Sequence, residues 1–438
     1  MDTGAAGGFD PTFTIDRLGR EDLCVLGREW LLHGHLQDRV GMPLLLEHCD
    51  RETMQQVAID EWMAASPVYS LRMQRALGFG PARPGGRDGG VDVIFKNMQL
   101  DIGAPHQFLD FRYRLHGPSK GEFFLASCGA LLDVEPMGEE FVRGMCHTIE
   151  DPTFDATAGA TNPHAKVRPV HRPPRVPPGR RPHCRWTVEI GDGPPARQHE
   201  NLPLVAASLA ATVTLPRPEP VAGADTGGRP DYSGDFDPLF EFEDLSHTAL
   251  RTALGEIALQ SHLLFRSFLI AVGRRFGTER VRELKPRMLA GLGGLTSQRL
   301  CRALRIGGGA AGVGRLLQVH PMVAPAGYVD AVCEPLSPDR LRFALRDCPM
   351  TREPDGLTWL GHLDGAPAGM DAFGALVQGA DPRARARRAE PRPGERLAVE
   401  VTVDPDTEPA PEPPEVRLAK LSGGASFVFR RRRPPRED

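Results

Sequence analysis

The chain has 438 residues, of which 40% are hydrophobic and 25% are charged, and its formal net charge is −4. These values predict a globular protein with a sizeable core, and they exclude the strong positive field with which many proteins attract nucleic acid. Eight cysteines in a chain of this length exclude a disulfide scaffold. The opening MDTGAAGGFD lacks the basic and apolar segments of a signal peptide, and no apolar run is long enough to span a bilayer. We therefore expect a cytoplasmic protein with reduced thiols and with no membrane or nucleic-acid partner.

Helices come first along the chain. Apolar residues at helical spacing predict a long helix over residues 18–41. Asp50 is expected to cap a second helix, because the acidic Glu52 that follows suits the first turn of a helix. Proline disfavours helical backbone in the residue before it, so Pro67 predicts a break and a third helix over residues 68–79.

The segment that follows alternates apolar and polar residues. QFLDFRYRL and GEFFLASC predict two antiparallel strands joined by the turn HGPSK. After them we predict a short helix over residues 138–145, a loop over residues 163–183 that is rich in proline and histidine, and a strand RWTVEI. A similar order returns later, where AFGALVQG precedes the strand RLAVEVTV. IGGGAAGVG lacks a preceding strand and a Lys-Ser/Thr pair, so no phosphate-binding loop is predicted.

The chain contains an internal repeat. LGREDLCVLGREWLLHGHLQDRVG, which starts at Leu18, matches LSHTALRTALGEIALQSHLLFRSF, which starts at Leu245, without a gap. The same offset continues through residues 52–77, after which the Gly-rich stretch GPARPGGRDGG absorbs a change of register. Identities then return, with Cys128 on Cys348 and Asp151-Pro152 on Asp381-Pro382. An ungapped match of this length indicates a tandem duplication.

We therefore predict an α+β protein built from two tandem duplicated modules that pack against each other as a pseudo-dimer. In each module, helices precede an antiparallel hairpin or small sheet. The predicted parts are an N-terminal module with a Cys/His cluster at 14–215, a linker at 216–238, a degenerate C-terminal repeat module at 239–403, and a Pro/Glu-rich and basic tail at 404–438. The oligomeric state stays open.

The N-terminal module holds the cluster of residues that suit chemistry. CGALLDVEPMGEEFVRGMCHTIEDPTFDA starts at Cys128 and contains Cys146 and His147, and PHCRW adds His183 and Cys184. The repeat register places two apolar residues, at positions 376 and 377, opposite the Cys-His pair. The C-terminal module is therefore expected to act as a scaffold for an N-terminal site.

Three interpretations of this cluster stay open. The first is a tetrahedral zinc site, because thiolates, imidazoles and carboxylates suit zinc, although no CxxC pair is present. The second is a thiol nucleophile, Cys146 or Cys128, activated by a nearby imidazole. The imidazoles that this requires are His147 and His35. The third is that the cysteines are small buried hydrophobic residues.

Two further groups carry possible acid–base chemistry. His35 lies between Glu29 and Arg39 on the first helix, and all three recur in the second module, which favours a structural ion pair beside a buried histidine. LDVEP places Asp133 two residues before Glu135, and such paired carboxylates are candidates for general acid–base catalysis.

The order of Cys128, Gly138, Glu140 and Cys146, with a final Cys184 that leads into a strand, resembles the L-2-amino-thiazoline-4-carboxylic acid hydrolase-like family. The resemblance covers about one module, and the chain departs from the pattern where it inserts the loop before the last cysteine. A more distant likeness is to the four-vinyl-reductase-type domain, a small-molecule-sensing domain with a zinc held by cysteines and a carboxylate. That likeness implies Cys128, Cys146, Cys184 and Glu140 as metal ligands.

From these observations we expect a hydrolase-like protein that acts on a C–N or C–S bond of a small molecule, with a metal-bound water or a thiolate as nucleophile. The catalytic candidates are Cys146, His147, His35 and Asp133. The alternative is a non-catalytic small-molecule-binding or sensory module with a structural zinc. Zinc is the one cofactor indicated, and whether the protein is an enzyme stays open.

Overall fold

The computed structural model describes residues 9–80, 89–221, 223, 225, 227–360, 363 and 367–432. The first half contains nine helices within these residues: α1 (Arg20–His35), α2 (Asp38–Leu46), α3 (Arg51–Ala76), α4 (Val91–Met98), α5 (Gly129–Val134), α6 (Glu139–Arg143), α7 (Glu150–Thr161), α8 (Leu202–Ala206) and α9 (Leu209–Thr212). Its strands are β1 (Leu109–Gly117), β2 (Lys120–Cys128), β3 (Ala165–His171) and β4 (Cys184–Ile190). A π-helical turn, Gly144–Ile149, joins α6 to α7.

The second half has longer but fewer helices in its described part. They are α10 (His247–Leu304), α11 (Gly309–Val319), α12 (Pro367–Gln378) and α13 (Pro414–Ala419), and the strands are β5 (Ala331–Ser337), β6 (Arg340–Arg346), β7 (Ala384–Ala389) and β8 (Glu395–Val403). Gly277 divides α10 into two helical parts, because its φ of 81° and ψ of 172° are not helical. A positive φ of this kind is readily adopted only by glycine.

Both halves build a four-stranded antiparallel sheet. The order of the first is β1-β2-β4-β3, and the order of the second is β5-β6-β8-β7. Two antiparallel sheets with separate runs of helices confirm the predicted α+β class. The hairpin prediction is confirmed as well, since β1 and β2 pair across the expected turn.

The helix predictions are partly confirmed. Asp50 caps α3, where its carboxylate accepts a hydrogen bond from the backbone N–H of Thr53 at 2.8 Å. The predicted break at Pro67 is wrong, because α3 continues through it to Ala76. Proline in a helix costs about 3 kcal/mol. α3 packs against both α7 and α10, and Thr157 donates a hydrogen bond to Ser66 next to the proline at 2.9 Å, so tertiary contacts offset that cost.

The core of the molecule lies where α1 and α3 pack on α10. Two buried ion pairs cross this contact, Glu29–Arg299 and Arg72–Glu256. Each arginine also donates to backbone carbonyl oxygens near the end of its own half of the chain. Arg72 reaches the carbonyl oxygens of residues 211 and 213 at 2.8 Å, and Arg299 reaches those of residues 424 and 425 at 2.5 and 3.2 Å. Charges buried in this way require partners, which fixes the relative position of the helices.

The segments predicted as linker and tail make specific contacts. Tyr232, within residues 216–238, is buried and donates a hydrogen bond to Gln99 at 2.7 Å. α13, within residues 404–438, packs against α2 and α10. The Gly-rich residues 81–88, which the repeat uses for its change of register, lie outside the described residues.

One repeat pairing is wrong. Asp151-Pro152 lies in the first turn of α7, whereas Asp381-Pro382 lies between α12 and β7. The dipeptide before β3 occupies the corresponding place. Asn162 and Asp381 each accept a hydrogen bond from the backbone N–H two residues later, at 3.0 and 2.9 Å. The apolar residues at 376 and 377 lie in α12, before β7, whereas Cys146 and His147 lie in the π-helical turn before α7, so the predicted pairing of these positions is wrong.

Candidate functional site

A cavity of about 370 Å³ lies in the first half of the molecule. It is bounded by α1, α2 and α3 on one side, by the inner face of the first sheet on another, and by the segment from α5 to α7. Residues of α13 lie beside its rim. Most of its lining is apolar, and four of its aromatic residues are Phe111, Phe123, Phe141 and Phe154. Its volume lies in the range of about 300–1,000 Å³ that is typical of small-molecule sites.

The alternation of β-strand side chains builds the sheet wall of this cavity. In β2, Phe123 and Leu125 face inwards, and Leu125 lies opposite both Phe111 of β1 and Cys184 of β4. Residues two apart in a strand share a face, so the apolar positions of GEFFLASC meet the first residue of β4 on one surface. Cys128 ends β2 and caps α5, where its sulfur accepts a hydrogen bond from the N–H of Leu131 at 3.3 Å.

The three predicted cysteines lie near one carboxyl group. Cys128 and Cys184 line the cavity, while Cys146 is buried in the π-helical turn. Burial raises the pKa of the Cys128 thiol to about 12, and the thiols of Cys146 and Cys184 are shifted in the same direction by burial and then by the nearby Glu150. Burial also raises the pKa of Glu150 to about 8. At neutral pH the thiols therefore keep their protons.

The residues proposed as zinc ligands do not fit a four-ligand site. Glu140 is exposed on α6 and forms an ion pair with Arg51, away from the buried cysteines. Among the described residues, no group of three or more His, Cys, Asp or Glu is placed to hold a metal ion. A structural zinc site requires four converging donors, with the thiols ionised. The carboxylate that lies near the cysteines is Glu150, which the sequence did not single out.

Of the remaining predicted residues, His35 and Asp133 line the cavity, whereas His147 contacts the Pro-rich loop. The ring N–H of His147 donates to the carbonyl oxygen of Pro173 at 2.7 Å, which ties it to the Pro-rich loop. Asp133 accepts hydrogen bonds from the hydroxyl of Ser422 at 2.6 Å and from the N–H of Gly423 at 2.8 Å. His35 lines the cavity and is 7% exposed. Burial lowers its pKa to about 3, so its ring is neutral.

Sequence reasoning missed an acidic and aromatic wall of the cavity, which we call the acid–aromatic patch: Asp38, Trp62, Tyr69 and Asp101. The indole N–H of Trp62 donates to Asp38 at 3.0 Å, and the Tyr69 hydroxyl donates to Asp101 at 3.0 Å. Burial raises the pKa of Asp38, and it raises the pKa of Asp101 to about 6. Asp38 begins α2 and Asp101 follows α4, and only the fold brings them together with Trp62 and Tyr69.

A second, more open groove lies on the other face of α7. It has a volume of about 1,740 Å³ and is lined by both halves of the chain. Its cationic residues include Arg75, Arg197 and Arg217, all exposed. Ala158 of α7 lines the cavity, whereas Ala160, two residues later, lines the groove.

The comparisons with known proteins give no relative. No family model matches the chain, and neither a curated protein nor a solved structure matches it. In the part of the chain that the structure describes, no helix is long and apolar enough to cross a membrane. The argument about function therefore rests on the cavity and the residues that line it.

Proposed function

We propose that the chain is a tandem duplication in which the N-terminal module binds a small molecule in its apolar cavity, while the C-terminal module is a scaffold. The single observation that carries this proposal is the cavity itself, which is mainly apolar and is lined by a few polar groups. This is the usual composition of a ligand site. The protein would act as a cytoplasmic binding or sensory module without requiring a zinc ion.

The packing of the two halves supports the duplication and the pseudo-dimer. The ungapped repeat pairs Glu29 with Glu256 and Arg72 with Arg299. In the structure Glu29 contacts Arg299 at 2.8 Å, and Arg72 contacts Glu256 at 2.9 Å. Each module thus gives the same residue pair to its neighbour, as in a two-fold symmetric interface. The shared strand order of the two sheets supports the same conclusion.

The C-terminal half has large apolar side chains where the repeat places acidic residues of the cavity. The repeat places Phe265 where the N-terminal module has Asp38. Phe265 is buried and stacks on the buried Trp359, with ring centroids 3.4 Å apart. The same offset replaces the neighbouring Glu61 and Trp62 by Met288 and Leu289. The acidic residues of the N-terminal module are therefore not demanded by the fold, which supports a role in binding.

Binding is favoured over thiol catalysis by the state of the predicted groups. A nucleophilic cysteine requires a lowered pKa, whereas burial raises those of Cys128, Cys146 and Cys184.

A hydrolase remains the second candidate because of one observation. Glu150 lines the cavity with a pKa of about 8, so it holds a proton at neutral pH, as a general acid does. Incubation with L-2-amino-thiazoline-4-carboxylic acid, followed by chromatography, tests this activity. Consumption that is lost in Glu150→Gln would favour the enzyme over the binding module.

The binding proposal is tested with prodan, a neutral naphthalene dye whose emission shifts to the blue in apolar surroundings. We expect saturable binding of one dye per chain. Ala158→Leu should weaken it at least tenfold, since the larger side chain enters the cavity. Ala160→Leu is the matched control, because the same change on the same helix points into the open groove. Equal loss in both variants, or no saturable binding, would contradict the proposal.

A further inference from the structure

The charges that line the cavity are unbalanced. Four carboxyl groups face it, from Asp38, Asp101, Asp133 and Glu150, while Arg39 is the one lysine or arginine among the described lining residues. Asp133 is already satisfied, since it lies 3.3 Å from Arg39 and accepts hydrogen bonds from residues 422 and 423. Arg39 also acts on Asp38, so one basic residue of the lining serves two carboxyl groups, and Asp101 and Glu150 have no basic residue beside them in the lining.

Buried carboxylates require a positive partner or a proton. Transfer of an isolated charge into an apolar interior is strongly unfavourable, and the usual response is a raised pKa. Asp38 and Asp101 show this response, with burial as the main cause. A third acid, Glu61, is fully buried behind them and lies close enough to affect the titration of Tyr69 along with both aspartates. The acid–aromatic patch and Glu61 are therefore a cluster of acids whose ionised forms a bound cation would stabilise.

Unsatisfied groups point to a missing ligand in the same cavity. His35 is 7% exposed, and neither ring nitrogen has a hydrogen-bond partner within the described chain. One oxygen of Asp38 is also buried without a partner in the described residues. Buried polar groups in native proteins are nearly always hydrogen-bonded, so each of these groups requires an explanation.

The aromatic members of the patch narrow the class of ligand. Trp62 and Tyr69 stand beside the two aspartates, and the backbone at Gly103 approaches both the Trp62 ring and Asp101. Aromatic faces together with carboxylates favour an ammonium group over water or an anion. The opposite wall, with its phenylalanines, suits an apolar body.

We propose that the cavity binds a hydrophobic amine, with its protonated ammonium group held at the acid–aromatic patch and its apolar body against the first sheet. This inference rests on the proposed function and assigns the ligand class of the same cavity. An ammonium group would donate hydrogen bonds to the free oxygen of Asp38 and offset the charge of Asp101. An anionic ligand would face three carboxyl groups, and a neutral one would leave the patch without a positive partner.

Three compounds of equal chain length test the ligand class: n-octylamine, 1-octanol and octanoate, each used to displace prodan at pH 7.5. We expect octylamine to displace the dye at a concentration at least tenfold lower than octanol or octanoate. Asp38→Asn should reduce octylamine affinity at least tenfold and change octanol affinity less than threefold. Asp101→Asn is a second variant with the same expectation. Asp155→Asn is the matched control, because Asp155 pairs with Arg168 outside the cavity.

The outcomes separate this inference from the proposed function. If octanol or octanoate displaces prodan at the same concentration as octylamine, the amine assignment is overturned while the binding site stays in place. An amine preference that survives in both asparagine variants would also overturn it. If prodan and all three octyl compounds fail to bind, the proposed function fails as well.

Discussion

The substitution Glu150→Gln tests the burial of a carboxyl group at the cavity. The native pKa of Glu150 is about 8, and its ordinary value is 4.5. The unfolded chain therefore loses this proton near pH 4.5, while the native chain keeps it until about pH 8. Over that interval the native state binds more protons than the unfolded state, so stability falls as pH rises. Glutamine has nearly the same shape and no charge, which removes this contribution.

The magnitude follows from the difference in pKa. One pKa unit corresponds to about 1.4 kcal/mol, so the full shift would be worth about 5 kcal/mol above pH 8. Glu150 retains partial exposure, which reduces this figure. We expect Glu150→Gln to raise the free energy of unfolding by about 2–4 kcal/mol at pH 8.5, and by less than about 0.5 kcal/mol at pH 4.

Urea denaturation at the two pH values, followed by tryptophan fluorescence, measures this difference. Glu139→Gln is the matched control, because Glu139 is exposed on the neighbouring α6. A surface change of this kind is expected to alter stability by less than about 0.5 kcal/mol at either pH. The reasoning is refuted if Glu150→Gln is less stable than the parent at pH 8.5, or if the two proteins lose stability in parallel as pH rises.

Three further predictions concern the ion pair between the two halves of the chain, the packing of Phe265 and the reactivity of the cysteines. Glu29→Ala leaves Arg299 buried without its carboxylate and should cost about 3–5 kcal/mol in urea denaturation; a cost below about 1 kcal/mol would mean that the pair does not fix the contact. Phe265→Ala opens a void beside Trp359 and should cost about 3–5 kcal/mol; a neutral result would contradict the filled-space argument. Iodoacetamide at pH 7.5 should leave Cys146 unmodified in the native chain, as mass spectrometry can measure. Rapid alkylation, or one zinc per chain that is lost in Cys146→Ala, would contradict that account.

The parts of the fold that depend on residues close together in the sequence could be predicted. The hairpin followed from alternation, and the start of α3 followed from a capping aspartate. The continuation of α3 through Pro67 could not be predicted, because it depends on contacts with α7 and α10. β3 was hidden in the loop at 163–183 because its Pro169 and charged residues are unusual for a strand. It pairs with β4 alone, and an edge strand tolerates proline.

The candidate site shows the same division. The sequence pointed to the N-terminal module and to the segment after Cys128, and both border the cavity. The likeness to a zinc-binding domain implied Glu140 as a ligand, but Glu140 is exposed and forms an ion pair with Arg51. Asp38 and Asp101 are far apart in the sequence and meet only through folding. The predicted repeat register was wrong after the hairpin, because the Asp-Pro pair at 151–152 matches Asp381-Pro382 in sequence, whereas Asn162 holds the equivalent place before a strand.

A crystal structure of the chain with prodan tests the central claim most directly, because it shows which of the two concave sites holds a ligand. The account predicts density for one dye inside the cavity, against Phe111 and Phe123 of the first sheet and close to Ala158. Density in the groove beside Ala160, with the cavity empty or occupied by rearranged side chains, would contradict it.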